Sequence, residues 1–426
     1  MVAICFYFQV HQPFRMKQYS VFDIGTHSTY FDEQKNREIA LKVAKKCYLP
    51  MNALLLQLIE RHKGAFRVSF SISGVALEQF SLYCPEVIRS FQALAKTGCV
   101  EFISETYYHS LSVLYSKQEF KEQVDQHKKL IQSLFGVTPT TFRNTELIYN
   151  NEIANIVEHM GYTAILAEGV DNILGWRSCN FLYTPHTCKT IKLLLKNYRL
   201  SDDIAFRFSN KGWEEYPLTI EKYIHWINAV NGNGDVINLF MDYETFGEHQ
   251  WEDTGIFSFM EVLPEYVLRH PDNCFMTPSQ VAQAFPVRDV LDIHHTISWA
   301  DMERDLSAWL GNKIQHNAIN ELYAIEQLVK QKQDKQLLDD WKKLTTSDHF
   351  YYMCTKWFAD GDVHKYFNPY DSPYDSYIAF MNIINDMVLR CRTKPQMVDQ
   401  TNNHTQPEVE YGHVVIENQV DQVKHL

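Results

Sequence analysis

The chain predicts an α/β protein: a seven-stranded parallel (β/α) barrel with a C-terminal helical region packed against it. Two observations lead there. Apolar, β-forming runs alternate with helical segments over about the first 300 residues, joined by short connections. Clusters of acids and histidines recur immediately after those runs, and in a parallel barrel all such points fall on one rim.

Residues 2–10 form an apolar run that ends at His11-Gln12-Pro13. Residues 52–63 have helical spacing and stop at Gly64; 66–72 alternate, with Arg67, Ser69 and Ser71 on one face. A short strand over 99–103 leads into Glu105-Thr106-Tyr107-Tyr108-His109. Ser116 and Glu119 read as a capping box opening a helix through Leu134, which Gly136 and Pro139 stop. Residues 140–143 are strand and deliver Asn144-Thr145-Glu146. Asn151 is positioned to cap a helix over 152–160, Gly161 closes it, and 162–167 return as strand. This β-α-β unit requires parallel strands and a right-handed crossover. Residues 191–195 and 236–240 add two strands, and 274–276 a short last one. The run at 236–240 delivers Asp242, Glu244, Glu248 and His249 within a few residues. Residues 301–392 read as helices. Their aromatic links at Tyr351-Tyr352 and Tyr366-Phe367 read as packing, as do Trp226 and Trp341; residues 393–426 are expected to be a mobile polar tail. The barrel is thus assigned to 1–300 and the helical region to 301–392.

Composition narrows the function. Hydrophobic residues make up 45% and charged residues 22%, ordinary for a globular protein with a sizeable core. A net charge of −12 argues against nucleic acid as a partner. No run approaches the roughly 20 apolar residues of a membrane span. The first residues lack a basic region and a cleavage site, and the nine cysteines are scattered, so a reducing cytoplasmic setting is expected. No GxGxxG or GxxxxGK turn supports nucleotide binding. Cys179, His186 and Cys188 lack a CxxC pair, and neither a metal nor a cofactor is expected.

His11 follows the first strand, Glu105 and His109 the third, Glu146 the fourth, and Asp242, Glu244 and His249 the seventh. Glu101 shares the Glu105 face by alternation. Singly, each has a bland explanation: a strand-end hydrogen bond for His11, a surface pair with Arg143 for Glu146, a solvated loop face for Glu244. Their coincidence at equivalent positions favours a site. Two rim carboxylates suit glycosidic bond cleavage, one acting as acid and the other as nucleophile or base.

Five separated segments resemble glycoside hydrolase family 57, in its α-amylase-like branch. They are His11-Gln12-Pro13; Val100-Glu101-Phe102 running into Tyr107-Tyr108-His109; Phe142-Arg143-Asn144-Thr145-Glu146; Met241 to His249; and Ser298-Trp299-Ala300-Asp301 continuing through Trp309 to Asn312. The resemblance implies a seven-stranded barrel acting on α-glucan or maltooligosaccharide with retention. It implies Glu146 as nucleophile and Asp242 as general acid/base, with His11 at the sugar being cleaved. It places Glu101 and Trp309 near substrate, and Glu105, His109, Glu244, Trp299 and Asp301 among the candidate contacts. Arg143 and His249 stand where some members carry tryptophan, so they are candidate contacts in place of two stacking platforms. Trp213, Trp299 and Trp309 are the tryptophans expected near the rim. Two other readings stay open: a glucan-binding protein without turnover, and a metal-dependent polysaccharide deacetylase using Asp292, His294 and His295. The residues leave hydrolysis versus transfer, substrate length and oligomeric state open.

Overall fold

The computed structural model describes residues 2–26, 28–356 and 368–393. The strands among them are Val2–Val10 (β1), Val68–Ile72 (β2), Val100–Phe102 (β3), Thr141–Arg143 (β4), Ala164–Glu168 (β5), Leu182–Pro185 (β6), Lys192–Lys196 (β7), Val236–Asp242 (β8), Asn273–Phe275 (β9) and Val287–Leu291 (β10). Every residue of β1 is buried, which requires both faces of the strand to be covered. Val2, Ile4, Phe6, Phe8 and Val10 face an outer core shared with helices, whereas Ala3, Cys5 and Tyr7 face a separate inner one.

One sheet runs β3-β2-β1-β8, with β9 also on β1; the other runs β4-β5-β7-β6-β10. All pairings are parallel except β6 with β7. The two sheets join at both ends. Ser104, just past β3, bridges Phe142 of β4: its N–H donates to Thr141 O (3.0 Å) and its carbonyl accepts from Arg143 N–H (2.9 Å). At the other seam Asn197 N–H donates to Asn238 O (2.9 Å), and Asn238 Nδ2 donates to Leu195 O (2.8 Å). The ring β1-β2-β3-β4-β5-β7-β8 is the expected seven-stranded parallel barrel, with β6, β9 and β10 off it. Helix Pro278–Ala284 closes its floor, lending Val281 and Ala282 to the inner core.

Inward positions change character along each strand. Ala3, Cys5, Ile103, Ala164 and Leu166 fill the lower interior. Further up come Gln9, Ser71, Arg143, Glu168 and Lys196, all buried, and then Asp242 at the end of β8. The barrel is therefore a packed apolar plug under a polar mouth.

The helices after residue 300 include Lys313–Ala324, Lys335–Leu344 and Pro373–Arg392. Trp309, Trp341 and Phe380 from this region share one core with Phe142, Ile165 and Leu193 of the strands, so the region packs on the barrel as expected. Tyr366-Phe367 and nearly all of the 393–426 tail lie outside the described residues.

Two local details differ from expectation. Ser116 Oγ accepts from Glu119 N–H as a cap, but the Glu119 carboxylate turns to Lys330 Nζ (2.7 Å) rather than back to the cap. Asn150, not Asn151, caps the next helix, taking Ile153 N–H at 2.9 Å. The Asn151 side chain instead donates to Asp292 (2.6 Å), tying the helix start to the chain beyond β10.

The β7–β8 seam gives a stability prediction. Asn238→Ala strips a buried carbonyl of its donor and should cost about 1–3 kcal/mol. Urea unfolding should show a lower midpoint for this variant, with an unchanged midpoint refuting the role given to Asn238 at the seam.

Candidate active site

The chain leaves β4 and turns abruptly. Leu147 N–H donates to Asn144 O (3.0 Å), and Glu146 adopts φ 56°, ψ 25°. A left-handed conformation in a residue with a Cβ costs roughly 1–3 kcal/mol and persists only where its surroundings impose it. Of the seven such non-glycine residues described, His109, Glu146, Asp301 and Arg304 border the same cavity, so the strain is concentrated at the mouth of the barrel. The turn aims a nearly buried carboxylate into that mouth. Trp299 Nε1 donates to its Oε2 (2.7 Å), and Ser347 Oγ (3.2 Å) and His109 Nε2 (3.3 Å) reach its Oε1.

The histidines set the electrostatic surroundings of that carboxylate. His109 bonds Glu105 through Nδ1 (2.7 Å) and Glu146 through Nε2. Both partners are carboxylates, so both ring nitrogens must carry protons. Burial opposes that charge, but Glu105 and then Glu146 override it and raise His109 to about 9. Glu105, buried as well, is lowered to about 2 by His109 first and Arg143 next. His11 stacks on His109 with ring centroids 4.0 Å apart. Burial and the neighbouring imidazolium depress its pKa against the pull of Asp348. Its Nε2 faces Asp348 Oδ2 (2.9 Å) and its Nδ1 faces Ser73 Oγ (2.7 Å), which holds one tautomer.

Across the mouth, β8 ends at Asp242, in register with Gln9 of β1. Glu244, two residues on, accepts from the Tyr48 hydroxyl. Burial, then the charge of Asp242, pushes Glu244 up to about 8, so it is a neutral acid near pH 7. Two adjoining hollows of about 70 and 60 Å³ open here, and Glu146, Asp242, His249 and Trp299 line both.

A buried charge network secures Trp299. Lys196 contacts Asp202 (3.0 Å) and Glu168 (3.5 Å); Arg304 contacts Glu168 (3.4 Å) and Asp202 (3.5 Å) and donates to Trp299 O (2.5 Å). Burial disfavours the Lys196 charge, but Asp202 and Glu168 raise its pKa. The Arg143 guanidinium, fully buried and without a hydrogen-bond acceptor among the protein groups, lies 4.7 Å from the Trp299 ring centroid.

His11, Glu105, His109, Glu146, Asp242, Glu244, His249, Trp299 and Asp301 therefore gather at the mouth, with Arg143 directly behind Trp299. Two expected contacts do not. Glu101 does share the inward face with Glu105, but Ile103 lies between them, so Glu101 sits lower in the barrel. It bonds Thr141 Oγ1 (2.6 Å) and Ser279 N–H (2.9 Å) at the end closed by helix Pro278–Ala284. Trp309 is wholly buried against Tyr351 and lines neither hollow. Trp213 packs on Trp226, away from both hollows. Tyr351 and Tyr352 are buried, as a packing role requires, yet each also edges one of the hollows. Ser347 and Asp348 were missed; the polar run Thr345-Thr346-Ser347-Asp348 between apolar helices was the available signal. Among the described residues no group of three or more His, Cys, Asp or Glu side chains could hold a metal ion, and Asp292 and His294 form an exposed pair (2.8 Å).

The model of glycosyl hydrolase family 57 matches residues 5–294. A "putative alpha-amylase" of Methanocaldococcus jannaschii is 44% identical over 397 residues, covering 90% of this chain and 84% of its own. Among solved structures, a branching enzyme of this family from Pyrococcus horikoshii superposes with a TM-score of 0.64 at 14% identity, covering 86% of this chain and 87% of that one. The 4-alpha-glucanotransferase of Thermococcus litoralis gives 0.62 at 14% identity; the match covers 82% of this chain but only 56% of that longer protein. At such identities these structures establish the fold.

The Glu105–His109–Glu146 chain makes stability depend on pH in a defined direction. His109 is raised from 6.5 to about 9, so its contribution is complete below pH 6.5 and is lost as pH climbs towards 9. Glu105 is lowered from 4.5 to about 2, so its contribution is present above pH 4.5 and lost below it. The stability gap between wild type and His109→Gln should thus be widest between pH 4.5 and 6.5 and narrow by pH 9. Chemical denaturation across that range measures it, and a gap that widens with pH contradicts the assigned charge.

Proposed function

This chain belongs to glycosyl hydrolase family 57, and we propose that it is a retaining glycosidase or transglycosylase acting on α-1,4-linked glucan. The observation that carries the reading is that Glu146 and Asp242 line the same narrow cavity in opposite electrical settings. Glu146 faces an imidazolium, an indole N–H and a hydroxyl, all of which favour the ionised form a nucleophile needs. Asp242 stands two residues from Glu244, whose buried carboxyl keeps a proton near pH 7, so the pair holds the proton that Asp242 would pass to the leaving oxygen. The substrate class rests on the 44% identical relative and its name, together with the five matching motifs.

In this reading Glu146 attacks the anomeric carbon while Asp242 protonates the departing glycosidic oxygen. The C–O bond breaks and a glycosyl ester forms on Glu146. Asp242, now ionised, takes a proton from the acceptor, which attacks the same carbon and releases the enzyme carboxylate. Two inversions leave the α-configuration unchanged. Water as acceptor gives hydrolysis, and a sugar hydroxyl gives transfer. His11, braced by Asp348, and His249 both line the hollow and supply partners for the sugar hydroxyls.

Incubation with maltoheptaose, resolved by chromatography, tests the proposal. Wild type should give shorter α-anomeric sugars if water is the acceptor, or shorter and longer ones together if it is a sugar, and Glu146→Gln should give neither. Asp242→Asn should lose about 10²–10⁴-fold on glucan. It should lose far less on a 4-nitrophenyl α-maltoside, whose leaving group departs without a proton. Glucan affinity without turnover in the wild type would overturn the enzymatic reading and leave a binding protein.

A further inference from the structure

We infer that the open hollow around Trp251 is a second carbohydrate site, holding a distal stretch of the glucan chain outside the catalytic cavity. The inference rests on the α-glucan reading above for the identity of the ligand. It rests on the structure for the site.

Trp251 is 52% exposed, an unfavourable position for the largest apolar side chain unless something covers it. It borders a hollow of about 800 Å³, against about 70 and 60 Å³ for the two hollows at Glu146 and Asp242. That volume lies in the range of sites that enclose whole small molecules, whereas the catalytic hollows confine little beyond the reacting ring. A polymer bound only through them would be held by few contacts.

The lining fits a neutral polyol. Trp251 and Phe257 supply apolar surface for the C–H face of a pyranose ring. Lys45, Glu252, Asp253 and Ser258 supply donors and acceptors of both signs around it. With Glu261 and Lys46 also on the lining, an anionic ligand would meet three acids and a cationic one two lysines. A sugar, whose hydroxyls both donate and accept, meets a partner at each. Lys46 Nζ lies over the indole, 5.0 Å from its centroid, so a sugar packing there shares the ring with an ammonium donor.

The hollow is joined to the catalytic loop by a short, stiff piece of chain. Gly247, at φ 104°, lies so close to Lys46 O that an added Cβ would come within 2.0 Å of it, so no other residue fits there. Glu248 is buried with its carboxylate on Lys42 Nζ (2.6 Å) and Lys46 Nζ (4.0 Å). Residues 242–251 thus run from Asp242 through His249 to Trp251 with their middle clamped. Trp251 is therefore held two residues along a braced segment from His249, which lines the catalytic hollows.

Co-sedimentation with glycogen in the Glu146→Gln background, where substrate is not consumed, tests the site directly. Adding Trp251→Ala should weaken glycogen binding about tenfold, the effect of one lost aromatic platform, and Trp251→Phe should restore most of it. In otherwise wild-type protein, Trp251→Ala should raise KM for glycogen while leaving kcat, and both constants on maltotetraose, unchanged. Equal glycogen affinity with and without Trp251 overturns the inference. So does an equal loss on maltotetraose, which would put Trp251 inside the catalytic cavity. A change in sedimenting mass on Trp251→Ala with glycogen binding intact would make the hollow a contact between copies of the chain, and also overturns it. Trp251-dependent glycogen binding by a protein that turns over neither substrate would sustain the site while the catalytic proposal fell.

Discussion

A ring of only seven parallel strands leaves its inward side chains no room except against one another, and that crowding organises the molecule. In the lower ring Ala3, Cys5, Ile103, Ala164 and Leu166 interlock as a dry plug. Most inward polar residues lie where the ring opens, with Glu101 at the opposite end held by Thr141 and Ser279, and most are buried, so each needs a partner. Meeting that requirement assembles the site. Gln9 Nε2 donates to Glu105, Glu105 takes His109, and His109 takes Glu146. The array that holds Glu146 is the same array that lets charged groups lie inside the barrel at all.

The barrel does not complete this array alone. Ser347 N–H donates to His109 O (2.9 Å), and Thr346 Oγ1 donates to Tyr108 O (2.8 Å), which stitches the helical region to the loop after β3. That seam brings the Ser347 hydroxyl to Glu146 and the Asp348 carboxylate to His11. Trp309 and Trp341, buried in the core shared with the strands, fix the height of the helices over the mouth. The helical region therefore supplies part of the pocket wall as well as apolar cover, and its tryptophans act through packing.

What could be read in the chain divides along the same physical lines. Runs such as 2–10 and 236–240 announce buried strands because both faces are covered, and the residues after them reach the rim by construction. β6 and β10 carry no such signal: β6 is four residues long, and β10 is largely exposed, with Val290 46% accessible. Alternation placed Glu101 and Glu105 on one face correctly, but it holds no depth coordinate, and two inward positions are enough to move a carboxylate from mouth to floor. Asp348 lies 337 residues from the histidine it braces; no local pattern links them. Trp309 shows the opposite error: glycine and asparagine neighbours suggested a loop, yet its ring turns into the core.

Arg143, read from the sequence as standing where some members of the family carry tryptophan, brings these threads together. A tryptophan there would present a ring to sugar. The arginine instead lies in the barrel interior with its charge 4.7 Å from the centre of another tryptophan, Trp299, while Lys196 Nζ stands 5.5 Å from that same ring. Two cations against an indole polarise its N–H, and that N–H is the group donating to Glu146 Oε2 at 2.7 Å. Isolated burial of a guanidinium is costly, so its position is stable only because Glu105 and Glu146 concentrate negative charge in the same low-dielectric space. The arginine thus adds positive potential beside Glu146, the proposed nucleophile. It leaves Trp299 committed, by its edge and by its ring, to orienting Glu146. Grip on the glucan must then come from elsewhere on the mouth and beyond it.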